Sequence, residues 1–201
     1  MKRRTIRIIG LLLIGCLISI KAAESTNDGG VNFFKQSAQR HASGQLERCK
    51  LSSPQLVQGY HCKRWLWFHE SGQIKQLQLA QATKIKDIEF PEDTTVFFDP
   101  AGRLVRVYLA TDLKIGSLPI RGGAKISTAF QTNGLVASCF LSKPTTIQGI
   151  PCKASLFHPI FLHPNGRLKK ATLSESIVYK NVRLEQGTTV FFDPNGILIP
   201  A

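Results

Sequence analysis

The chain has 201 residues, with 26 Lys plus Arg against 13 Asp plus Glu, a formal charge of +13. That imbalance favours anionic partners and bears on solubility and association rather than on fold. Its longest apolar run, Ile8 to Ile20, is shorter than the roughly 20 residues that span a bilayer as a helix.

That run follows Lys2, Arg3, Arg4 and Arg7. A charged n-region and a short apolar core predict an export signal over residues 1–23, with cleavage after the small residues Ala22 and Ala23. Leu13, Ile14, Gly15 and Cys16 read alternatively as a bacterial lipoprotein box, which would lipidate Cys16 and anchor the chain. An uncleaved anchor is the third option. Removing residues 1–23 takes away five basic residues and no acidic ones, so the charge falls from +13 to +8 over 178 residues. That length suffices for one domain with a real core. Residues 24–43 read as a linker and cap, with one or two helical turns around Phe33 and Phe34.

From residue 44 to 201 the chain repeats. Gly44, Gly72, Gly102, Gly134 and Gly166 are spaced 28, 30, 32 and 32 residues apart, and Gly196 opens a partial copy. Two residues after each glycine stands Leu46, Ile74, Leu104, Val136, Leu168 or Leu198; seven after it stands Leu51, Leu79, Leu109, Leu141 or Leu173. A period of about 30 means that each unit buries its apolar face against its neighbours. Within a unit the first run alternates in the manner of a half-buried strand. A turn follows at Gly59, Asp87, Ser117, Gly149 or Asn181, types that tolerate left-handed backbone. A second short strand leads to a third, WLWF, TVFF, ISTAF, IFL or TVFF, whose β-branched and aromatic residues suit a pleated sheet. The third ends in HESG, DPAG, QTNG, HPNG or DPNG, which suits a type I turn leading into a hairpin. The predicted fold is therefore all-β: an antiparallel meander of about five tandem units of three strands each, as an elongated or curled sheet or a sandwich.

The halves of the chain match better than single units do. Residues 44–63 align with 134–153 at an offset of 90, and 68–104 with 162–198 at an offset of 94; the four extra residues fall in KASLFHPIFL, predicted to be a loop.

Cys49 and Cys62 occupy positions at which other units carry Leu77 with Phe90, Val107 with Ile120, and Ala171 with Leu184; Cys139 and Cys152 repeat the arrangement. Inward cysteines on neighbouring strands of an exported protein predict the disulfides Cys49–Cys62 and Cys139–Cys152. A four-thiolate zinc site is the alternative, although the short CxxC knuckles of such sites are absent. His69 and His163 share one repeat position with Asp99, Gln131 and Asp193, which points to a hydrogen bond with the turn backbone. His41, His61 and His158 read as lacking repeat counterparts. No HExxH, GxSxG, P-loop or dinucleotide fingerprint occurs, so the sequence assigns no catalytic residue, cofactor or metal.

Two aromatic stripes run through the third strands. Phe68, Phe98, Phe130, Leu162 and Phe192 face one way; Trp67, Phe97, Ala129, Phe161 and Phe191 face the other. Because large exposed apolar patches are rare, both stripes are expected to be buried, by a second sheet or by curling of the first; the alternative is that the Trp67 stripe is an exposed aromatic track for a glycan, a peptide or a partner strand. The main surface feature is a basic row, Arg48, Lys75, Arg106, Lys169 and Lys170, extended by Arg103 and Arg167. It reads either as a solvated face that discourages edge pairing or as a contact for anionic envelope polymer or lipid headgroups. Nucleic acid is not an expected partner, since no recognised binding motif is present.

The recurrent FQTNG and FDPNG, with Val136 or Leu198 two residues after the glycine, resembles the β-hairpin repeats of MORN-type and MORN-variant bacterial proteins. The resemblance covers residues 44–200 and carries over no functional residue. It implies an elongated meander with a scaffolding role or a role in partner or lipid binding. The expectation is an exported envelope protein acting as a binding or structural module, in the periplasm or cell envelope of a bacterium, with an anionic envelope polymer, lipid headgroups or another envelope protein as its partner. A lipoprotein anchored through Cys16 comes second and a hydrolase with a scattered site third.

Overall fold

The computed structural model describes residues 24–199. The export signal expected at 1–23, with Cys16 and the cleavage site after Ala23, lies outside the described residues. Within them the chain is all-β, an antiparallel meander of hairpins in one large sheet.

Residues 24–43 build more strand than the linker and short helix expected there. They form a hairpin of β1 (Ser25–Asp28) and β2 (Val31–Phe34), a single 3-10 turn at Lys35–Ser37, and β3 (Gln39–Arg40). Phe33 is buried and bridges to Leu51, which closes one end of the core. The Gln55 carboxamide fixes this hairpin by accepting from the Asn32 N–H at 2.8 Å and donating to its carbonyl at 2.6 Å.

The elements then recur. First come β4 (Leu46–Lys50), β5 (Gln55–Val57) and β6 (Tyr60–Phe68). Next are β7 (Ile74–Leu79), β8 (Thr83–Ile85), β9 (Ile88–Phe90) and β10 (Thr95–Phe98). They are followed by β11 (Leu104–Tyr108), β12 (Leu113–Ile115), β13 (Leu118–Ile120) and β14 (Ser127–Phe130). After these come β15 (Val136–Cys139), β16 (Thr145–Ile147), β17 (Ile150–Cys152) and β18 (Ile160–Leu162). The last are β19 (Leu168–Thr172), β20 (Ile177–Tyr179), β21 (Val182–Leu184), β22 (Thr189–Phe192) and β23 (Leu198–Ile199).

The large sheet runs β3, β4, β6, β7, β10, β11, β14, β15, β18, β19, β22, β23, each strand antiparallel to the next. The intervening pairs β8–β9, β12–β13, β16–β17 and β20–β21 stand apart as separate hairpins, and β5 pairs with the first part of β6. The three strands expected per unit are thus two in the sheet and a small hairpin between them. The first expected strand breaks after Leu51, Leu79, Leu109, Leu141 and Leu173, where short polar stretches such as Ser52–Pro54 and Ser142–Pro144 interrupt the ladder. Proline contributes no donor to a ladder.

The small hairpins cover one face of the sheet. Val57, Ile85, Phe90, Leu118, Ile120, Ile147 and Ile150 from the hairpins share one buried cluster with Leu66, Leu77, Val96, Val107, Ile160 and Val190 of the sheet. Fully burying an aliphatic or aromatic side chain of this size contributes about 1.5–3 kcal/mol. The position held by Leu66, Val96, Ile160 and Val190 carries Thr128 in β14; it is fully buried and its hydroxyl has no partner.

Each in-sheet hairpin turns as the glycines require. The Gly102 N–H donates to the Asp99 carbonyl at 2.9 Å and the Asp99 N–H to the Arg103 carbonyl at 3.0 Å, with Gly102 at φ +73°. This is a type I turn closed by a left-handed residue, and Gly166 at φ +78° repeats it. A bulge follows the turn in every in-sheet hairpin except β22–β23, so that Lys75 and Gln76 together oppose Trp67, and Lys169 and Lys170 together oppose Phe161. A bulge puts two consecutive residues opposite one. The burial pattern shows the result, since Ile74 and Leu77 are buried while both residues between them face outward.

The small hairpins also clamp the sheet. Gln58 Nε2 donates to the Gly72 carbonyl at 2.8 Å while its Oε1 accepts from the Ile74 N–H at 3.0 Å; Gln148 does the same with Gly166 and Leu168. Lys86 and Gly116 stand at the equivalent turn positions and cannot form this two-way bond. A groove of about 540 Å³ opens beside them, floored by Leu104, Val136 and Leu162.

Two substitutions test this account with opposite signs. A Cβ at Gly102 meets no atom within 4 Å, so the cost of Gly102→Val lies in the left-handed backbone and should be about 1 kcal/mol or more. Thr128→Val removes an unsatisfied buried hydroxyl at nearly constant volume and should stabilise by about 1 kcal/mol. Chemical denaturation of both variants checks the pair; loss of stability in Thr128→Val would show that its hydroxyl is satisfied.

Candidate functional site

Among the described residues, no hairpin layer covers the second face of the sheet, and the surface residues singled out in the sequence meet there. One residue from each strand falls in a single cross-strand row. The register runs Gln39, Arg48, Trp67, Gln76, Phe97, Arg106 through the first half. It continues as Ala129, Ser138, Phe161, Lys170, Phe191 and Ile199. The basic row and the second aromatic stripe are therefore one feature, interleaved strand by strand. Lys75 and Lys169 join it through the bulges beside Gln76 and Lys170.

This corrects the expected burial of both stripes. Phe68, Phe98, Phe130, Leu162 and Phe192 are buried, whereas Trp67, Phe97, Ala129 and Phe161 remain partly exposed and Phe191 is 37% exposed. All the hairpins fold to one side, so no second sheet reaches the other stripe.

The open face is held by its own side chains. Lys170 Nζ lies 5.6 Å from the centre of the Phe161 ring and 5.4 Å from that of Phe191, and the Arg106 guanidinium lies 6.0 Å from Phe97. Arg48 sits 5.6 Å from Trp65, with its Nε buried and unpartnered. Such contacts contribute about 0.5–1 kcal/mol at exposed sites. Phe97 also meets Tyr108 edge-on at 5.0 Å, which fixes its ring.

Charge is segregated. Glu47 is the one acidic residue in any strand of the large sheet among the described residues. None of Arg48, Lys75, Arg106, Lys169 and Lys170 makes an ion pair there; the pairs belong to other groups, such as Lys63 with Glu92 and Asp93. Arg103 and Arg167, expected to extend the row, are engaged at the turn edge, with Asp99 at 2.7 Å and with the Asn195 carbonyl.

The turn edge explains the histidines. His69 Nε2 bonds the Phe98 carbonyl at 3.0 Å and His163 Nε2 the Phe192 carbonyl at 2.8 Å, each reaching the neighbouring hairpin rather than its own turn. Gln131 donates to the Leu162 carbonyl in the same way. His41, read as lacking a counterpart, does likewise with Phe68 at 3.2 Å; it stands three residues before Gly44, a spacing visible in the sequence. Asp99 and Asp193 accept only, so they bond N–H groups of their own turns. The bond from the Arg103 N–H, with the Arg103 guanidinium beside it, holds the Asp99 carboxyl below its usual range. These side chains stitch hairpins together.

The four cysteines among the described residues, Cys49, Cys62, Cys139 and Cys152, are buried free thiols in the structure, without the expected bridges. Cys49 stands opposite Leu66 and Cys62 opposite Leu79, so the two are not directly paired; Cys139 faces Ile160 and Cys152 faces Thr145 and Leu173. They fill the core as small apolar groups. Among the described residues no His, Cys, Asp or Glu cluster is arranged to hold a metal ion. Burial pushes the Cys49, Cys62 and Cys139 thiols up to about 12 and that of Cys152 up to about 11. The KASLFHPIFL insertion forms the expected loop, and it carries Phe157 and Leu156 exposed.

Comparison with known proteins found no matching family model, no matching curated protein and no matching solved structure.

The raised thiols set a pH window. A thiol whose folded value lies above its ordinary 9.0 stabilises the fold fully below pH 9, and this contribution fades as pH rises through about 12. Stability should therefore fall above pH 9, with a gentler slope in a variant carrying Val or Ala at all four positions. Thiol-specific labelling at pH 8 should fail in the native protein and modify all four upon unfolding without reductant; no labelling upon unfolding would mean that bridges form.

Proposed function

We propose that this protein is an exported binding module of a bacterial cell envelope that takes a polyanion on the open face of its sheet. The observation that carries the reading is charge segregation: five unpaired cations share one face whose strands contain a single acid. The basic, apolar start of the chain supports export. Anchoring through Cys16 is compatible with the same role, since a lipid there would hold the open face near the envelope. Mass measurement of the mature protein distinguishes cleavage after Ala23 from lipidation at Cys16.

Attraction between exposed charges is screened within about 8 Å at physiological ionic strength. Binding of a soluble polyanion should therefore weaken about tenfold or more between about 50 mM and about 500 mM salt. A triple reversal, Arg106→Glu with Lys169→Glu and Lys170→Glu, should abolish binding while the protein still unfolds cooperatively; losing the Arg106 and Lys170 ring contacts should lower its melting temperature by about 5 °C. Binding that survives both the reversal and high salt would contradict the reading.

A further inference from the structure

Resting on that reading, we infer that the polyanion is a linear acidic polysaccharide, held at two equivalent subsites along the open-face row. The internal duplication places one constellation twice. In the first half Trp67 and Phe97 flank Gln76 with its bulge partner Lys75. At the offset of 94, Phe161 and Phe191 flank Lys170 with its bulge partner Lys169. Each subsite is thus a cationic strand between two aromatic ones. With strands about 4.8 Å apart, the two rings of a subsite are about 10 Å apart and the subsites are centred about 29 Å apart.

Three observations select the ligand class. The aromatic rings suit the apolar C–H faces of pyranose rings, which inorganic polyanions and lipid phosphates lack, and a carboxylate that draws Lys170 off the Phe161 and Phe191 rings frees their faces for the sugar. Gln76 and Ser138 sit in the same row as hydrogen-bonding groups for hydroxyls. Strands in a sheet rotate by roughly 20–25° relative to each neighbour, and bulges increase the twist. Over the strands from β3 to β23 the row therefore turns by on the order of 200°, a path that a flexible chain can follow and a planar bilayer cannot.

The test compares polygalacturonate, its short oligomers, polyphosphate and phosphatidylglycerol vesicles, with binding followed by calorimetry. A uronate chain long enough to reach both subsites should bind about a hundredfold tighter than a fragment confined to one, because the second contact is intramolecular. Phe161→Leu, which keeps apolar bulk but loses the ring, should remove most of that gain and leave polyphosphate binding unchanged. Phe97→Leu should do the same from the other subsite, so a folding defect in one variant leaves the other to decide. Equal binding of uronate and phosphate polymers, with no effect of either variant, would overturn the inference while keeping the polyanion reading. Binding to vesicles alone would also overturn it. No binding to any of these probes would overturn both.

Discussion

A sheet has two faces, and this chain supplies apolar cover for one. The small hairpins β8–β9, β12–β13, β16–β17 and β20–β21, with β5 against β6, all carry their buried residues to the same side. Burial there fixes which side chains of each in-sheet strand point inward, and strand geometry then commits the alternate ones to the open side. The exposure of Trp67 and Phe161 is thus a consequence of where Val57, Ile85, Ile147 and their counterparts go. Polar side chains lock the arrangement from the edge: Gln58 and Gln148 tie hairpin tips to the sheet, and His41, His69, Gln131 and His163 each tie their own turn to the next hairpin.

Much of the fold was legible because backbone needs are written in residue types. The glycine after each turn is required by a left-handed position, and the β-branched and aromatic runs mark in-sheet strands. The small hairpins were harder to see, since segments such as Thr83–Ile85 and Ile88–Phe90 are too short for periodicity to separate from a strand that continues. The bulges were hidden for a related reason. Two outward residues in succession, as at Lys75 and Gln76, look like faltering alternation unless a bulge is supposed.

The surface was legible as residues but not as a site. The basic row and the aromatic stripe came from different strands of each unit, and only the register shows Arg106 opposite Phe97 and Lys170 between Phe161 and Phe191. The cysteines were legible as core positions, but their pairing was not. Their positions do alternate with apolar pairs such as Leu77 and Phe90, but sharing a core is a weaker condition than being directly opposed, and disulfide geometry demands the stronger one.

The claim on which the rest stands is that one face of the sheet is covered and the other open. Hydroxyl-radical footprinting of the folded protein, read residue by residue by mass spectrometry, tests it most directly. Trp67, Phe97, Phe161 and Phe191 should be modified, while Phe68, Phe98, Phe130 and Phe192 should be protected until the protein unfolds. Equal protection of both sets would place a second layer over the open face and contradict the account.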